Sequence, residues 1–223
     1  MTFALKDLIA GQPDWRVEGD LGVAVRAITA DSREARPGCL FVAIPGARFD
    51  GHDHVSEAIA AGASAVVIEH VLSAVRETNG NGARPSTAGE GPHETTILVP
   101  NARVALAELA ATFHAHPSEK LHLYGVTGTN GKTTITYLLE ALFTRAGEST
   151  GVLGTINYRF GGAVREAANT TPDALVLQRT LAEMVDAGVR RAVMEVSSHA
   201  LVMHRVRACQ FRGAIFTNLT QDH

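Results

Sequence analysis

The sequence predicts an α/β protein. A small N-terminal α/β domain is followed by part of a second domain, built on a parallel sheet with a P-loop-type glycine turn. Three observations predict this. Short apolar runs alternate with amphipathic runs of helix length, the pattern of a parallel sheet that carries ligands at the carboxyl ends of its strands. The stretch "GVTGTNGKTT" at 125–134 stands between one such strand and one such helix. Residues 79–96, "NGNGARPSTAGEGPHETT", have too few apolar groups to offset ordering entropy and are expected to form a flexible surface loop within the first domain.

Taken in order, "CLFVAIPG" reads as a strand and turn, "HVSEAIAAGA" as a short helix ending in glycine, and "SAVVIE" as a buried strand. After the loop, "TTILVP" is another strand. "NARVALAELAATFHAHP" opens on an N-cap candidate, Asn101, carries Val104, Leu106, Leu109 and Phe113, and stops by Pro117. The domain boundary is expected near residue 100, giving domains 1–100 and 101–223. In the second half, "LHLYGVT" is a strand and "GTNG" a turn. "KTTITYLLEALFTRAG" is a helix with Ile135, Leu138, Leu139, Leu142 and Phe143 on one face, closed by Gly147. "GVLGT" is a short strand. "TPDALVLQRTLAEMVDAG" is a helix with Pro172 in its first turn and Leu177, Leu181, Met184 and Val185 as the buried stripe. "RAVMEV" and "AIFTNL" are two further strands. The sequence stops at "TNLTQDH" directly after a strand, so truncation is expected, with roughly half of the second domain missing. There is no internal repeat.

Composition narrows the function classes. The chain has 223 residues, 45% apolar and 19% charged, enough to bury a core. A net charge of −3 argues against a broad basic surface for nucleic acid or anionic lipid, so any phosphate ligand needs a local site. Cys39 and Cys209 sit in apolar stretches without a CxxC neighbour and read as buried thiols in a reducing compartment. The N-terminus shows neither a signal peptide nor a membrane span, and a cytoplasmic location is expected.

The loop at 128–134 has the chemistry of a phosphate cradle. Glycines let the backbone approach, successive amides and a helix N-terminus face the anion, Lys132 adds a charge, and the Thr133 hydroxyl can reach a magnesium ion. The generic G-x4-G-K-[ST] pattern is not met, because Val126 stands where its first glycine would be; this is the shorter G-T-N-G-K-T form. The plain alternative is an ordinary glycine turn into a helix. Glu195 ends an apolar strand, where an unpaired carboxylate is costly; it is either salt-bridged or faces a cation. His223 follows a strand and is delivered to the same sheet edge. Asn169, Thr170 and Thr171 precede a helix, as caps or as ligands. The pairs "HDH" at 52–54 and "HAH" at 114–116 read as surface groups rather than metal sites.

"GVTGTNGKTT", "NTTPD", "MEVSSHAL" with "HRV", and "FTNLTQDH" occur in the order found in the Mur ligases, and nearly the whole chain resembles that family. "DSREARPGCLFVAIPGARFDGHDHV" is similar to the uridine-nucleotide domain of its diamino-acid-adding members. The loop alone is shared with folylpolyglutamate synthetases, in which a uridine module is not expected. The resemblance implies that Ala30, Ser32, Ala47, Arg48 and Phe49 hold the uridine diphosphate end of the substrate. It implies that Gly128, Thr129, Asn130, Gly131, Lys132, Thr133 and Thr134 bind ATP, and that Thr133, Glu195 and His223 ligate Mg2+. Asn169, Thr170, Thr171, Ser197 and Arg205 would bind the muramoyl-peptide. Met203 stands where the family often has glutamine, which leaves that contact open. Lys132, Glu195 and His223 would be the catalytic set. The family's carbamylated lysine and its amino-acid-selecting domain fall beyond residue 223. The implied activity is ATP-dependent addition of a diamino acid to UDP-MurNAc-L-Ala-D-Glu in peptidoglycan precursor synthesis. Diaminopimelate is favoured over lysine; a non-catalytic substrate-binding fragment is the alternative.

Overall fold

The computed structural model describes residues 2–46, 49–70 and 95–220. Ala47, Arg48, His223 and most of the expected loop at 79–96 therefore lie outside the described residues. The chain divides into two compact units, 1–105 and 106–223.

In the first unit, β1 (Phe3–Ala4) leads into α1 (Leu5–Leu8) and pairs antiparallel with β3 (Ala24–Val25). A five-stranded sheet has the order β2 (Arg16–Glu18), β7 (Thr95–Leu98), β6 (Ala65–Ile68), β5 (Cys39–Val42), β4 (Ala27–Thr29). Only the β2–β7 pair is antiparallel. β5 and β6 are buried along their whole length, as continuous apolar runs in a covered parallel sheet should be. Phe41, Cys39 and Val66 pack with Val55 and Ala58 of α2 (Val55–Ala60). The unit division falls inside α3 (Ala102–Phe113), which Asn101 caps by accepting the Val104 N–H at 2.9 Å.

The second unit carries a six-stranded sheet. Its order is β11 (Ala163–Glu166), β10 (Asn157–Phe160), β9 (Thr150–Leu153), β12 (Arg191–Glu195), β8 (His122–Thr127), β13 (Phe211–Phe216). β9, β12, β8 and β13 run parallel. The β10–β11 hairpin is antiparallel and was not expected: "NYRFGGAVRE" has little apolar alternation on its outer strand, where all four residues are exposed. α4 (Lys132–Arg145) packs on the sheet. α5 (Ala174–Asp186) buries Leu177, Leu181 and Met184 in the core with Leu123, Leu153 and Met194, while Val185 packs at the edge. α6 (Ser198–Val202) is a short helix after β12.

The apolar face of α4 is only partly buried: Ile135, Leu139 and Phe143 are half-buried, Leu138 and Leu142 are exposed, and the fully buried residue of the helix is Thr136. Two expectations are corrected. Pro172 lies before the first turn of α5, because Asp173 is the N-cap and accepts the Val176 N–H at 3.0 Å. His52 is no surface group. It is 4% exposed, its Nδ1 bonds Asp50 at 2.6 Å, and its Nε2 accepts the Glu69 N–H at 3.0 Å. With both ring nitrogens engaged, the neighbouring Asp50, His52 and His70 form a hydrogen-bonded and stacked cluster with no ring nitrogen of His52 left for a metal. Cys209 is a free thiol that burial pushes up to about 12, which makes it unreactive. No helix among the described residues is long and apolar enough to cross a membrane.

Candidate active site

Each unit places sequence-predicted residues around a cavity at the carboxyl ends of its parallel strands. In the first unit the cavity, about 520 Å³, is lined by Ala30, Ser32 and Phe49 together with Asp31, Arg33, His54 and Glu57. Phe49 offers an open ring at 78% exposure. The charges here satisfy one another. Arg33 bonds both oxygens of Asp31, from Nε at 2.8 Å and from Nη2 at 2.6 Å. That pair, with the Arg33 backbone N–H on the same carboxylate, holds Asp31 down to about 2. Glu57 Oε2 bonds His54 Nδ1 at 2.9 Å and accepts the Ser32 hydroxyl at 3.1 Å; both lower its pKa, His54 first.

In the second unit, β8 ends at Thr127, and Gly128 to Gly131 turn the chain into α4. Gly128 has φ +127°, and a Cβ there would overlap Thr217 Oγ1 and stand 2.8 Å from the Asn218 carbonyl. The turn is clamped against the segment after β13. Thr129 N–H donates to Asn218 O at 3.1 Å, Thr129 Oγ1 donates to Thr220 O at 2.8 Å, and Asn130 N–H donates to Asn218 Oδ1 at 3.1 Å. Lys132 heads α4, and its ammonium donates to Gly128 O at 2.7 Å and Thr129 O at 2.9 Å, leaving a third donor for a ligand.

Glu195 closes β12 beside this turn. It is 1% exposed. Thr133 Oγ1 donates to its Oε2 at 2.9 Å and the Thr155 N–H to its Oε1 at 2.9 Å, with the Thr155 hydroxyl 3.1 Å from Oε2. Among the described residues no Lys, Arg or His comes within ion-pair distance of it. A buried carboxylate served only by hydroxyls and one amide has no countercharge for its ionised form, and burying such a charge unpaired is costly. Oxygen ligands with a lone pair left unused by hydrogen bonds suit a hard divalent cation. The 2.9 Å between Thr133 Oγ1 and Glu195 Oε2 fits as well, since ligands about 2.1 Å from Mg2+ at right angles stand about 3 Å apart.

The structure therefore brings Thr129–Thr134, Thr170 and Glu195 around one cavity of about 300 Å³, with Thr155; Gly128 lines a neighbouring cavity instead. That neighbour, of about 730 Å³, shares Thr129 and Lys132 with it and is lined by Ser197, His199, Phe216 and Leu219 among others. Thr171 is different: at 1% exposure its hydroxyl donates to Glu195 O at 2.8 Å and accepts the Ser197 N–H at 3.0 Å, so it stitches the site together from inside. Arg205 Nη1 donates to the Thr171 carbonyl at 2.8 Å, and Tyr158 OH to the Asn169 carbonyl at 2.6 Å. Ser197 caps α6 through the Ala200 N–H at 3.1 Å. Met203 terminates α6. Sequence reasoning missed Thr155 and Gly154, whose Cβ would overlap Glu195 Oε1. The available signal was the Gly-Thr pair directly after the strand "GVL", which repeats the Gly-Thr that follows β8.

Comparison with known proteins bears on the family. The Mur ligase middle domain matches residues 126–223, and the Mur ligase family catalytic domain matches 24–114. The chain is 44% identical over 205 residues to the UDP-N-acetylmuramoyl-L-alanyl-D-glutamate–2,6-diaminopimelate ligase of Geobacter metallireducens, covering 92% of this chain and 37% of that protein. It is 41% identical over 219 residues to the same-named ligase of Bacillus cereus, covering 98% of this chain and 41% of that protein. A solved structure of a ligase of that name superposes with a TM-score of 0.74 at 24% identity, over 100% of this chain and 42% of the other, which shows the fold. The chain thus spans about 40% of the length of relatives it matches. With two Mur ligase domains matched in succession over both units, the chain belongs to the Mur ligase family.

Proposed function

We propose that this chain is the acceptor-binding and ATP-binding part of a ligase that joins 2,6-diaminopimelate to UDP-MurNAc-L-Ala-D-Glu. The observation that carries the reading is Glu195: buried, hydrogen-bonded to the phosphate-loop residue Thr133, and without a cationic partner among the described residues. The names of the relatives supply the substrates, diaminopimelate rather than lysine. The first unit's cavity, with Ala30, Ser32 and Phe49, serves as the handle for the uridine diphosphate end; Ala47 and Arg48 belong to the same proposed set. Asn169, Thr170, Ser197 and Arg205 serve the muramoyl-peptide, with Thr171 acting from within the scaffold.

The reaction sets a D-glutamyl carboxylate against a triphosphate, anion against polyanion. The carboxylate oxygen attacks the γ-phosphorus as its bond to the β-bridging oxygen breaks; ADP leaves and an acyl phosphate remains. The amine of diaminopimelate then attacks the acyl carbon, inorganic phosphate leaves, and the nitrogen loses a proton. Amides of the turn other than those of Thr129 and Asn130, which donate to Asn218, would hold the phosphates together with the Lys132 ammonium and stabilise the charge that builds on the transferred group. Thr133 and Glu195, with His223, would hold Mg2+, which when bound supplies charge neutralisation at the phosphates. Binding of the distant uridine end orients the reacting carboxylate.

The share of the relatives' length that the chain spans favours a second reading for the chain on its own: binding without ligation. Calorimetric titration of the chain with UDP-MurNAc-L-Ala-D-Glu and with Mg2+-ATP, beside a ligation assay with diaminopimelate, separates the two. Binding of both ligands supports the proposal. No binding of either overturns it, and amide formation eliminates the binding-only reading.

A further inference from the structure

Thr155 belongs to no motif, yet three of the contacts that organise the site pass through it. Its N–H holds Glu195 Oε1 at 2.9 Å. Its hydroxyl lies 3.1 Å from Glu195 Oε2 and 3.0 Å from Thr170 Oγ1. A threonine hydroxyl has one proton. It donates either to Glu195, accepting from Thr170, or to Thr170, releasing Oε2. The two arrangements differ in how much of the Glu195 charge is already committed to a protein donor, and in whether Thr170 is a donor or an acceptor toward a ligand.

We infer that Thr155 is a positioning residue that couples ligand binding at Thr170 to cation binding at Glu195. This rests on the assignment of those two sites made above. A cation on Oε2 competes with the Thr155 proton and favours donation toward Thr170. Thr170 is then left with its own proton free for an acceptor oxygen on the peptide substrate. Each ligand selects the same hydroxyl arrangement, so each tightens the other by an equal factor, as linkage requires. The order of assembly has a chemical use: the cation is gripped most firmly when the carboxylate to be phosphorylated is in place. Gly154 keeps the arrangement close, because any side chain there would overlap Glu195 Oε1.

The test is Mn2+ binding to the chain in the presence of ADP, followed by electron paramagnetic resonance, with and without UDP-MurNAc-L-Ala-D-Glu. In the unaltered chain the acceptor is expected to tighten Mn2+ by at least about fivefold, the lower end of typical coupling. Thr155→Val keeps the shape and the backbone donor but has no hydroxyl; it is expected to bind Mn2+ with the coupling reduced to less than about twofold. Thr155→Ser is expected to restore it. A merely structural role would move the affinity or the melting temperature of Thr155→Val while leaving the coupling factor alone. Coupling that persists in Thr155→Val, or is absent from the unaltered chain, overturns the inference. Failure of the unaltered chain to bind Mn2+ with ADP is a different result, and overturns the cation assignment itself.

Discussion

The two cavities sit at equivalent places, the carboxyl ends of parallel strands, yet they treat charge in opposite ways. Around the first, every described charge has a protein partner: Asp31 with Arg33, Glu57 with His54 and Ser32. At the second, Glu195 is far more buried and among the described residues has hydroxyls and an amide but no cation, while the described partners of the Lys132 ammonium are backbone carbonyls. A site whose charges cancel internally recognises a ligand by shape and hydrogen bonds. A site that keeps an anion and a cation unpaired within one cavity reserves both for a ligand that brings opposite charges, such as a metal-bound polyphosphate. On the proposed function, the first cavity is a handle and the second does the chemistry.

The largest expected effect follows from removing the reserved cation. Lys132→Ala, placed in the longer enzyme, should lower turnover by at least about a hundredfold, comparable with loss of one donor to a developing oxyanion. Single-turnover measurement of acyl phosphate checks this. Near-normal formation would mean that Lys132 is a structural brace for the carbonyls of Gly128 and Thr129, and the contrast between the two cavities would lose its meaning.

Removing the reserved anion should separate function from stability. Glu195→Gln keeps the side-chain shape and an acceptor for the Thr155 N–H. It is expected to weaken Mn2+ affinity in the presence of ADP by at least about tenfold, about 1.4 kcal/mol. Its stability to urea should be unchanged or higher, since a buried charge without a countercharge has been neutralised. Gly154→Ala, which pushes on the same carboxylate, should weaken the cation as well but at a cost to stability of about 1–3 kcal/mol, the usual range for overpacking. A stability loss in Glu195→Gln as large as that of Gly154→Ala would show the carboxylate to be a structural strut.

Much of this contrast was legible in the sequence, for identifiable reasons. The strand, glycine turn and Lys-Thr of 122–134 are local, and chain direction alone delivers Glu195 to the same sheet edge. The self-cancelling character of the first cavity was not legible. Ser32 and Glu57 are 25 residues apart and meet only because β4 and β5 are neighbours and α2 returns over them. His52 was misjudged because its burial depends on a backbone donor from Glu69, at the far end of another strand. On α4 the spacing places the apolar residues on one face but says nothing of their depth, and the fully buried residue of the helix is a small threonine, Thr136. Thr155 was passed over because its importance lies in a proton shared between two residues, 15 and 40 positions away.

The smallest expected effect tests the self-cancelling side. Asp31 is lowered to about 2, chiefly by Arg33, so its pair stabilises the folded chain when the carboxylate is ionised. For a lowered carboxylate this contribution is fully present above the unfolded value, about 3.9, and is lost as pH falls through the folded value. The pair is open to solvent, with Arg33 largely exposed, so its contribution should be small and fall with salt. Urea unfolding of Asp31→Asn should therefore show a small deficit at pH 7 that is still present at pH 5. It should shrink below about pH 4, as the unfolded carboxylate protonates. Affinity for UDP-MurNAc-L-Ala-D-Glu should change less than about threefold, which is under 1 kcal/mol. A drop beyond tenfold would place Asp31 or the freed Arg33 in direct contact with the ligand, and the first cavity would then be reserving charge just as the second does.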